Sequence, residues 1–268
     1  MGSKRKLVND LVPIFEQHNK QYKVYWEPFC GGLSTIQNVS GYNLKIASDL
    51  NPYLIAMWKG LQLGFDKPLE IPKTLYDEYR SLYHIDKRTE NYDRAINYDW
   101  SIALEYGWGE YIQQLFLIGW IGFMGSFNGR FYDGGYSGKS GKRDYIQEQI
   151  NNTLKQIPYL KDIVFRHGSY SDFSDFAFGS HAVIYCDIPY KNTTPYGFNK
   201  NFDYDSFYVW CRKQQLLGNK VYISEYQMPE KNFKCIWEKQ VTNSMNTTKT
   251  YKPTERLFTL TEWGQPME

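Results

Sequence analysis

A chain of 268 residues with 42% hydrophobic and 22% charged side chains is long enough for one large domain, or one domain carrying an insertion, with an ample core. Its net charge of +2 is too small to signal a nucleic-acid partner by itself, so any basic surface must be local. The opening Met1-Gly2-Ser3-Lys4-Arg5-Lys6 lacks the apolar run of a signal peptide, and the greasiest window, 115–124, is too short to span a bilayer. A cytosolic protein with no membrane segment is therefore expected. The 24 tyrosines supply stacking faces that suit the handling of bases and plain packing alike. Cys30, Cys186, Cys211 and Cys235 stand far apart without metal-ligand spacing, which reads as reduced, mostly buried thiols and no metal site.

After Lys4-Arg5-Lys6, the residues Leu7, Leu11, Ile14 and Phe15 recur at helical spacing, and Pro13 is expected to interrupt that helix. A short strand at Val24-Tyr25-Trp26 runs into Glu27-Pro28-Phe29-Cys30-Gly31-Gly32. Glycines after a strand let backbone approach a ligand closely, and a helix starting beyond them would add a favourable dipole. A second strand, Lys45 to Asp49, ends in an acid, and Asn51-Pro52 opens a helix. A glycine turn followed about 20 residues on by a strand-end acid is how nucleotide-binding α/β folds hold a ribose, although a coincidental turn and cap would read the same way.

From about residue 57 to 123 helical patterns dominate, as in an insertion that interrupts a sheet. The stretch from Gly125 to Arg143 holds six glycines, four basic residues and several aromatics. It reads either as a mobile, positive, stacking-capable surface or as a solvated loop. In the first reading Lys139, Lys142 and Arg143 neutralise phosphates, while Asn128 and Arg130 reach base edges. Ile146, Ile150, Leu154 and Ile157 then share a helix face, and Val164-Phe165 forms a strand leading to Gly168-Ser169-Tyr170.

The apolar run Ala182 to Cys186 predicts a buried strand of a parallel sheet. Pro189 forces the chain out of the ladder and holds Ile188 extended. Asp187, Ile188 and Tyr190 then lie just past a strand's carboxyl end, where open α/β sheets bind ligands. An acid, a carbonyl and an aromatic face in one place suit a planar ring bearing an amino group, although a strand stopping at Asp-x-Pro with Tyr190 as packing fits the same residues. A polar loop from Lys191 to Phe202 is long enough to be a lid. A helix over 203–217 and strands near 220–224, 233–241 and 256–260 close the chain.

Seven segments in order carry a resemblance to a known family: Gly2 to Leu7, Glu27 to Gly32, Ser48-Asp49-Leu50-Asn51, Phe127 to Phe131, Tyr185 to Tyr190, Ile223 to Tyr226 and Thr254 to Phe258. Together they resemble the Dam-like DNA adenine-N6 methyltransferases of phages and bacteria. The resemblance implies an α/β, Rossmann-like methyltransferase sheet formed by residues 1–56 and 146–268, with 57–145 an inserted, mainly helical target-recognition domain. It also implies S-adenosyl-L-methionine as cofactor, double-stranded DNA as partner, no metal, and the cytoplasm of a bacterial cell or phage-infected host; oligomeric state stays open between monomer and weak dimer. By the same resemblance Lys4 lies near the cofactor, Pro28, Phe29, Cys30, Gly31 and Gly32 cradle its methionine portion, Asp49 and Leu50 meet the ribose, and Ser169 and Tyr170 meet the adenosine. Asp187, Ile188, Pro189 and Tyr190 are then the catalytic tetrapeptide, with Asp187 also beside the cofactor.

This chain departs from the family at two points: no tryptophan precedes Lys4, and Ile188 stands where the family usually has proline. The chemistry asks little of that position, because any residue supplies a backbone carbonyl. Asp187 and the Ile188 carbonyl would each accept one N–H of adenine's amino group, while Tyr190 stacks on a base flipped from the duplex. Ile188 favours one rival, a DNA-binding homologue that keeps the cofactor pocket but has lost activity. A nearer rival keeps the chemistry and changes the acceptor to cytosine N4, RNA adenine or a protein amide.

Overall fold

The computed structural model describes residues 4–86, 97, 99–173, 181–191, 202–241 and 253–262. Within them the strands are β1 (Val24–Glu27), β2 (Leu44–Asp49), β3 (Lys139–Ser140), β4 (Arg143–Asp144), β5 (Ile163–His167), β6 (Ala182–Asp187), β7 (Lys220–Glu225), β8 (Phe233–Gln240) and β9 (Thr254–Leu260). Strands β3 and β4 make a small separate hairpin; the other seven form one sheet in the order β5-β2-β1-β6-β7-β9-β8. Pairings from β5 through β7 are parallel, and β9 lies antiparallel between β7 and β8. The fold is mixed α/β with a mostly parallel sheet. Strand order reverses between β1 and β6, which creates the crevice where such sheets take ligands.

The helices are α1 (Val8–Glu16), α2 (Pro52–Leu63), α3 (Lys73–Asp86), α4 (Trp100–Glu105), α5 (Gly109–Gly125), α6 (Tyr145–Leu154) and α7 (Tyr204–Leu216). Alternation along the strands divides the core between two faces. Val24, Trp26, Ile184, Cys186, Val221 and Ile223 pack under α7 through Phe207, Trp210 and Cys211. Tyr25, Val183, Tyr185 and Tyr222 point the other way into the larger core. There Phe15 of α1 lies 4.9 Å from the Tyr185 ring and 5.3 Å from that of Tyr222.

Local chemistry explains the helix limits. The Asn51 side chain accepts the Tyr53 and Leu54 N–H groups, Pro52 occupies the first turn, and Gly64 closes α2 at φ 78°. Asp203 caps α7 by accepting from Asp205 and Ser206, and Asp144 caps α6 by accepting from Gln147. Pro13, expected to interrupt the first helix, sits inside α1. Its ring and Asn9, whose carbonyl loses a helical partner, both lie on the exposed side of α1, while Leu11 and Phe15 stay buried.

A second expectation fails at the glycine turn: no helix follows it. Residues 34–38 form turns, closed by Asn38 N–H bonding the Thr35 carbonyl at 2.8 Å, so no helix dipole arises there. Over 57–123 the described elements are all helical. The proposed boundary between residues 56 and 57 falls within α2, which runs unbroken across it. Of the polar loop 191–202, residues 192–201 lie outside the described residues.

Helix α5 is apolar on every side from Leu115 onward and largely buried there, and it packs so closely on α2 that glycine is required at the contact. A Cβ on Gly119 would come within 2.2 Å of the Tyr53 carbonyl oxygen. Gly119→Ala should therefore destabilise the protein. Helix propensity favours alanine by about 1 kcal/mol, but overpacking against backbone costs about 1–3 kcal/mol and prevails. Urea denaturation of the variant checks this; equal or greater stability would show that the two helices can separate freely.

Candidate active site

Four neighbouring strands reach the carboxyl edge and each ends in an acid: Glu27 on β1, Asp49 on β2, Asp187 on β6 and Glu225 on β7. The antiparallel β9 starts at the same edge, with Glu255 beside the pair Arg256–Glu225. Among the described residues, Lys4 is the cation that forms salt bridges within this set. Its Nζ lies 3.2 Å from Asp187 Oδ1 and 2.9 Å from Glu255 Oε2, with the side chains 11%, 24% and 14% exposed respectively.

Tyr190 completes the cluster. Its hydroxyl donates to Glu255 Oε2 at 2.8 Å and accepts a close hydrogen bond from Lys4, while its ring meets Tyr226 edge-on at 4.6 Å. The backbone around it is held from both sides. The Tyr204 hydroxyl donates to the Pro189 carbonyl at 2.8 Å, and the Lys191 N–H donates to Glu225 Oε2 at 2.8 Å. Ile188 is 3% exposed and packs with Cys186 and Phe207 beneath α7. Hydrophobic burial and these two bonds thus fix a segment that proline would otherwise stiffen.

The glycine turn lies beside this cluster. Cys30 N–H bonds the Ser48 carbonyl at 2.9 Å, and Gly31 N–H bonds Asp49 Oδ2 at 3.2 Å, so the turn is tied directly to the strand-end acid. Asp49 Oδ1 accepts the Asn51 N–H at 2.9 Å. Gly31 has φ 45°, a conformation that favours glycine, and a Cβ on Gly32 would meet nothing within 4 Å. Pro28 and Cys30 are buried, whereas Phe29 is half-buried and lies 5.6 Å from Tyr170. Tyr170 also meets Trp210 at 5.1 Å, and the Trp210 Nε1 is buried without a hydrogen-bond partner. Ser169 is held by its N–H to Asp172 Oδ2, 2.7 Å away, and the Leu50 side chain is 44% exposed. The sequence-predicted residues Lys4, Asp187 and Tyr190 thus meet directly, as do Gly31 with Asp49 and Phe29 with Tyr170.

The stretch 125–143 differs from a mobile stacking surface. Phe131 and Tyr132 are 5% and 3% exposed and pack against Tyr53, Tyr83 and Phe123. Hydrophobic aromatics surrounded by glycines folded inward here. Asn128, at φ 54°, and Arg130 are half-buried. Lys139 pairs with Asp144 at 3.3 Å, and Arg143 grips Glu148 through two bonds of 2.7 and 2.8 Å. Lys142 is exposed.

Sequence reasoning missed Glu27, Glu225 and Glu255 as members of the site. The available signal was the recurrence of an acid at the end of each parallel strand, two of which were recognised. Burial raises the Glu27 carboxyl to about 8, even though Tyr25 donates to it at 2.9 Å and Thr35 donates as well. Burial likewise raises Asp49 to about 6 and Glu225 to about 7. Asp187 is raised by burial, opposed by Lys4 and reinforced by Glu255. Burial alone would lower Lys4, but Asp187 and Glu255 outweigh it and the net shift is upward.

A glycine turn bonded to a strand-end acid, next to an acid–aromatic tetrapeptide at the switch point, is an arrangement in which α/β sheets can take a nucleoside-bearing ligand. The match to known proteins is more specific. Residues 1–252 fit the family described as D12 class N6 adenine-specific DNA methyltransferase, and the chain belongs to that family. It is also similar over 225 residues to the type II methyltransferase M.FokI of Planomicrobium okeanokoites, at 24% identity. That similarity covers 81% of this chain and 31% of M.FokI, so the chain spans about a third of the relative's length. The family uses S-adenosylmethionine as methyl donor, and no helix among the described residues is long and apolar enough to cross a membrane.

The raised carboxyls make a stability prediction. Each keeps its proton in the folded protein at pH values where the unfolded chain has released it. The stability they contribute is complete below pH 4–4.5 and is lost as pH rises through about 6, 7 and 8. One such group costs roughly 1.4 kcal/mol per pH unit within its window. His18, lowered by burial and by Lys220, works in the opposite sense, but it is one partly exposed group. Ligand-free protein should therefore be less stable to urea at pH 8 than at pH 5.5, and Glu27→Gln should flatten the difference. A wild-type stability that rises across this interval would contradict the burial of these acids.

Proposed function

We propose that the protein transfers a methyl group from S-adenosylmethionine to the N6 amino group of an adenine in double-stranded DNA. The observation that carries this reading is the position of Asp187 and Tyr190, joined through Lys4 and Glu255 at the switch point of the sheet. The cofactor fits the residues present. The glycine turn leaves open space above Gly32, Asp49 offers acceptor oxygens to a ribose, and Phe29 and Tyr170, in contact at 5.6 Å, offer aromatic surface to an adenine ring. The carboxyl-rich edge also suits a ligand carrying positive charge better than one carrying phosphates. When bound, S-adenosylmethionine supplies an electrophilic methyl on a cationic sulfur.

The chain's own groups do the rest. Adenine's amino nitrogen is a poor nucleophile because its lone pair is delocalised into the ring. An Asp187 carboxylate and the Ile188 carbonyl, each accepting one N–H, would draw that nitrogen towards tetrahedral geometry and release the lone pair. Asp187 is then also the nearest acceptor for the proton that the methylated nitrogen must lose. Tyr190, tethered at its hydroxyl, would hold the flipped base beside the acid. These contributions are positioning and oriented dipoles. The inactive-homologue reading rested on Ile188; the packing of Ile188 and the bonds to Pro189 and Lys191 support a restrained tetrapeptide and so favour the active reading.

Residues 1–56 and 146–268 supply every strand of the seven-stranded sheet and would carry catalysis. Residues 57–145 supply α3, α4, α5 and the β3–β4 hairpin, and would read the target. Of Lys139, Lys142 and Arg143, the first and last are held in ion pairs with Asp144 and Glu148, which leaves Lys142 the most ready of the three to meet a phosphate, while Asn128 and Arg130 would serve base edges.

Two experiments follow. Asp187→Ala should abolish transfer of labelled methyl to duplex DNA while DNA affinity stays largely intact, since Asp187 acts on the transition state and not on phosphates. Near-normal turnover would remove Asp187 from catalysis. Lys142→Ala should weaken binding to all DNA sequences and lower the slope of log affinity against log salt by about one, with Lys139→Ala and Arg143→Ala changing it less. A selective loss on one sequence would instead make Lys142 a base reader.

A further inference from the structure

One acid of the edge comes from the antiparallel strand. Glu255 arrives from β9, far along the chain, and a single oxygen of it meets two partners: the Lys4 ammonium at 2.9 Å and the Tyr190 hydroxyl at 2.8 Å. Its backbone is held rigidly. Glu255 pairs with Lys239 across β8, and the next residue, Arg256, binds Glu238 at 2.9 Å and the Tyr226 carbonyl at 2.5 Å. The side chain is 14% exposed, so its charge acts in a poorly screened setting.

We propose that Glu255 is a positioning residue for methyl transfer, anchoring Lys4 and Tyr190 together so that the acid and the ring of the tetrapeptide keep one geometry. This inference rests on the proposed role of Asp187. Lys4 stands between two carboxylates and lies nearer Glu255 than Asp187, at 2.9 against 3.2 Å. With Glu255 neutral, the ammonium has one carboxylate left and closes onto Asp187, competing with the acceptor's amino group for the same oxygens. The Tyr190 hydroxyl loses a charged acceptor at the same time, and its ring loses the strand-borne tether. The titratable groups facing Lys4 and Asp187 from the packed elements are Glu255 on β9, Glu27 on β1 and Glu225 on β7, with Tyr190 and Tyr185 beside them. Glu255 bonds both Lys4 and Tyr190 from outside the tetrapeptide, as Asp187 does from within it.

The test compares wild type with Glu255→Gln, which keeps the shape, and Glu255→Asp, which keeps the charge. Four quantities are measured: single-turnover methyl transfer at saturating cofactor and DNA, cofactor Kd, melting temperature, and the side-chain titration of Lys4 by nitrogen NMR in DNA-free protein. The proposal expects at least a tenfold slower transfer in Glu255→Gln with cofactor Kd within twofold, a lowered Lys4 titration, and partial recovery of rate in Glu255→Asp. A rate within twofold of wild type overturns it, as does an unchanged Lys4 titration. A slower rate that tracks a parallel loss of cofactor affinity and melting temperature also overturns it, since that is general structural damage. Should wild type itself transfer no methyl to DNA, the functional reading fails separately. The Lys4 titration then decides the anchoring alone, a fall supporting it and no change overturning it.

Discussion

The site depends on holding several acids at the buried edge of one sheet with a single ammonium among them. Parallel strands deliver their last residues to the same edge, and here those residues are Glu27, Asp49, Asp187 and Glu225. Like charges that close, away from water, cannot all stay ionised. The protein distributes them: burial keeps the proton on Glu27 up to about 8 although Tyr25 and Thr35 donate to it, Asp49 and Glu225 accept backbone N–H groups, and Asp187 pairs with Lys4. The result is an edge whose negative charge is partly withheld in the free protein and can be expressed when a cation arrives.

Rigidity at this edge comes from the layers on either side. Below it, the aromatic contacts of Phe15 with Tyr185 and Tyr222 bind α1, and with it the segment carrying Lys4, to the sheet. Opposite, Ile188 is buried among residues that also receive Phe207 and Cys211 of α7. Proline at position 188 would stiffen the tetrapeptide through its own ring. This chain obtains comparable restraint from packing and from the bonds made by Tyr204 and Glu225. Restraint by neighbours keeps the carbonyl, the one atom the chemistry needs from that residue.

Most of the sheet was legible because apolar strand runs end abruptly at acids and prolines, and because Asn51-Pro52 and Asp203 are strong helix starts. Asp49 and Asp187 were found by the same logic. Glu255 escaped it because β9 is antiparallel: its acid lies at the start of the strand, where local sequence gives no hint of an edge. Glu27 and Glu225 were visible as strand ends but carried no local sign of the burial that changes their protonation. The turns at 34–38 and the inward fold of Phe131 and Tyr132 were illegible for a different reason. Glycine-rich sequence permits many backbone paths, and for Phe131 and Tyr132 the choice was made by contacts with Tyr53, Tyr83 and Phe123.

A carboxyl edge that withholds its charge until a cation binds has a direct thermodynamic signature. Binding a positively charged donor lowers the affinity of Glu27 and Glu225, raised by burial to about 8 and about 7, for protons, so protons leave as the ligand enters. Titration calorimetry at pH 7 in two buffers of different ionisation enthalpy measures that release. The neutral thioether product of methyl transfer serves as the reference, since it shares every other contact. The account predicts that S-adenosylmethionine releases more protons than the thioether, and that this excess shrinks in Glu27→Gln. Equal proton release by the two ligands would contradict the electrostatic matching of this edge to a cationic methyl donor.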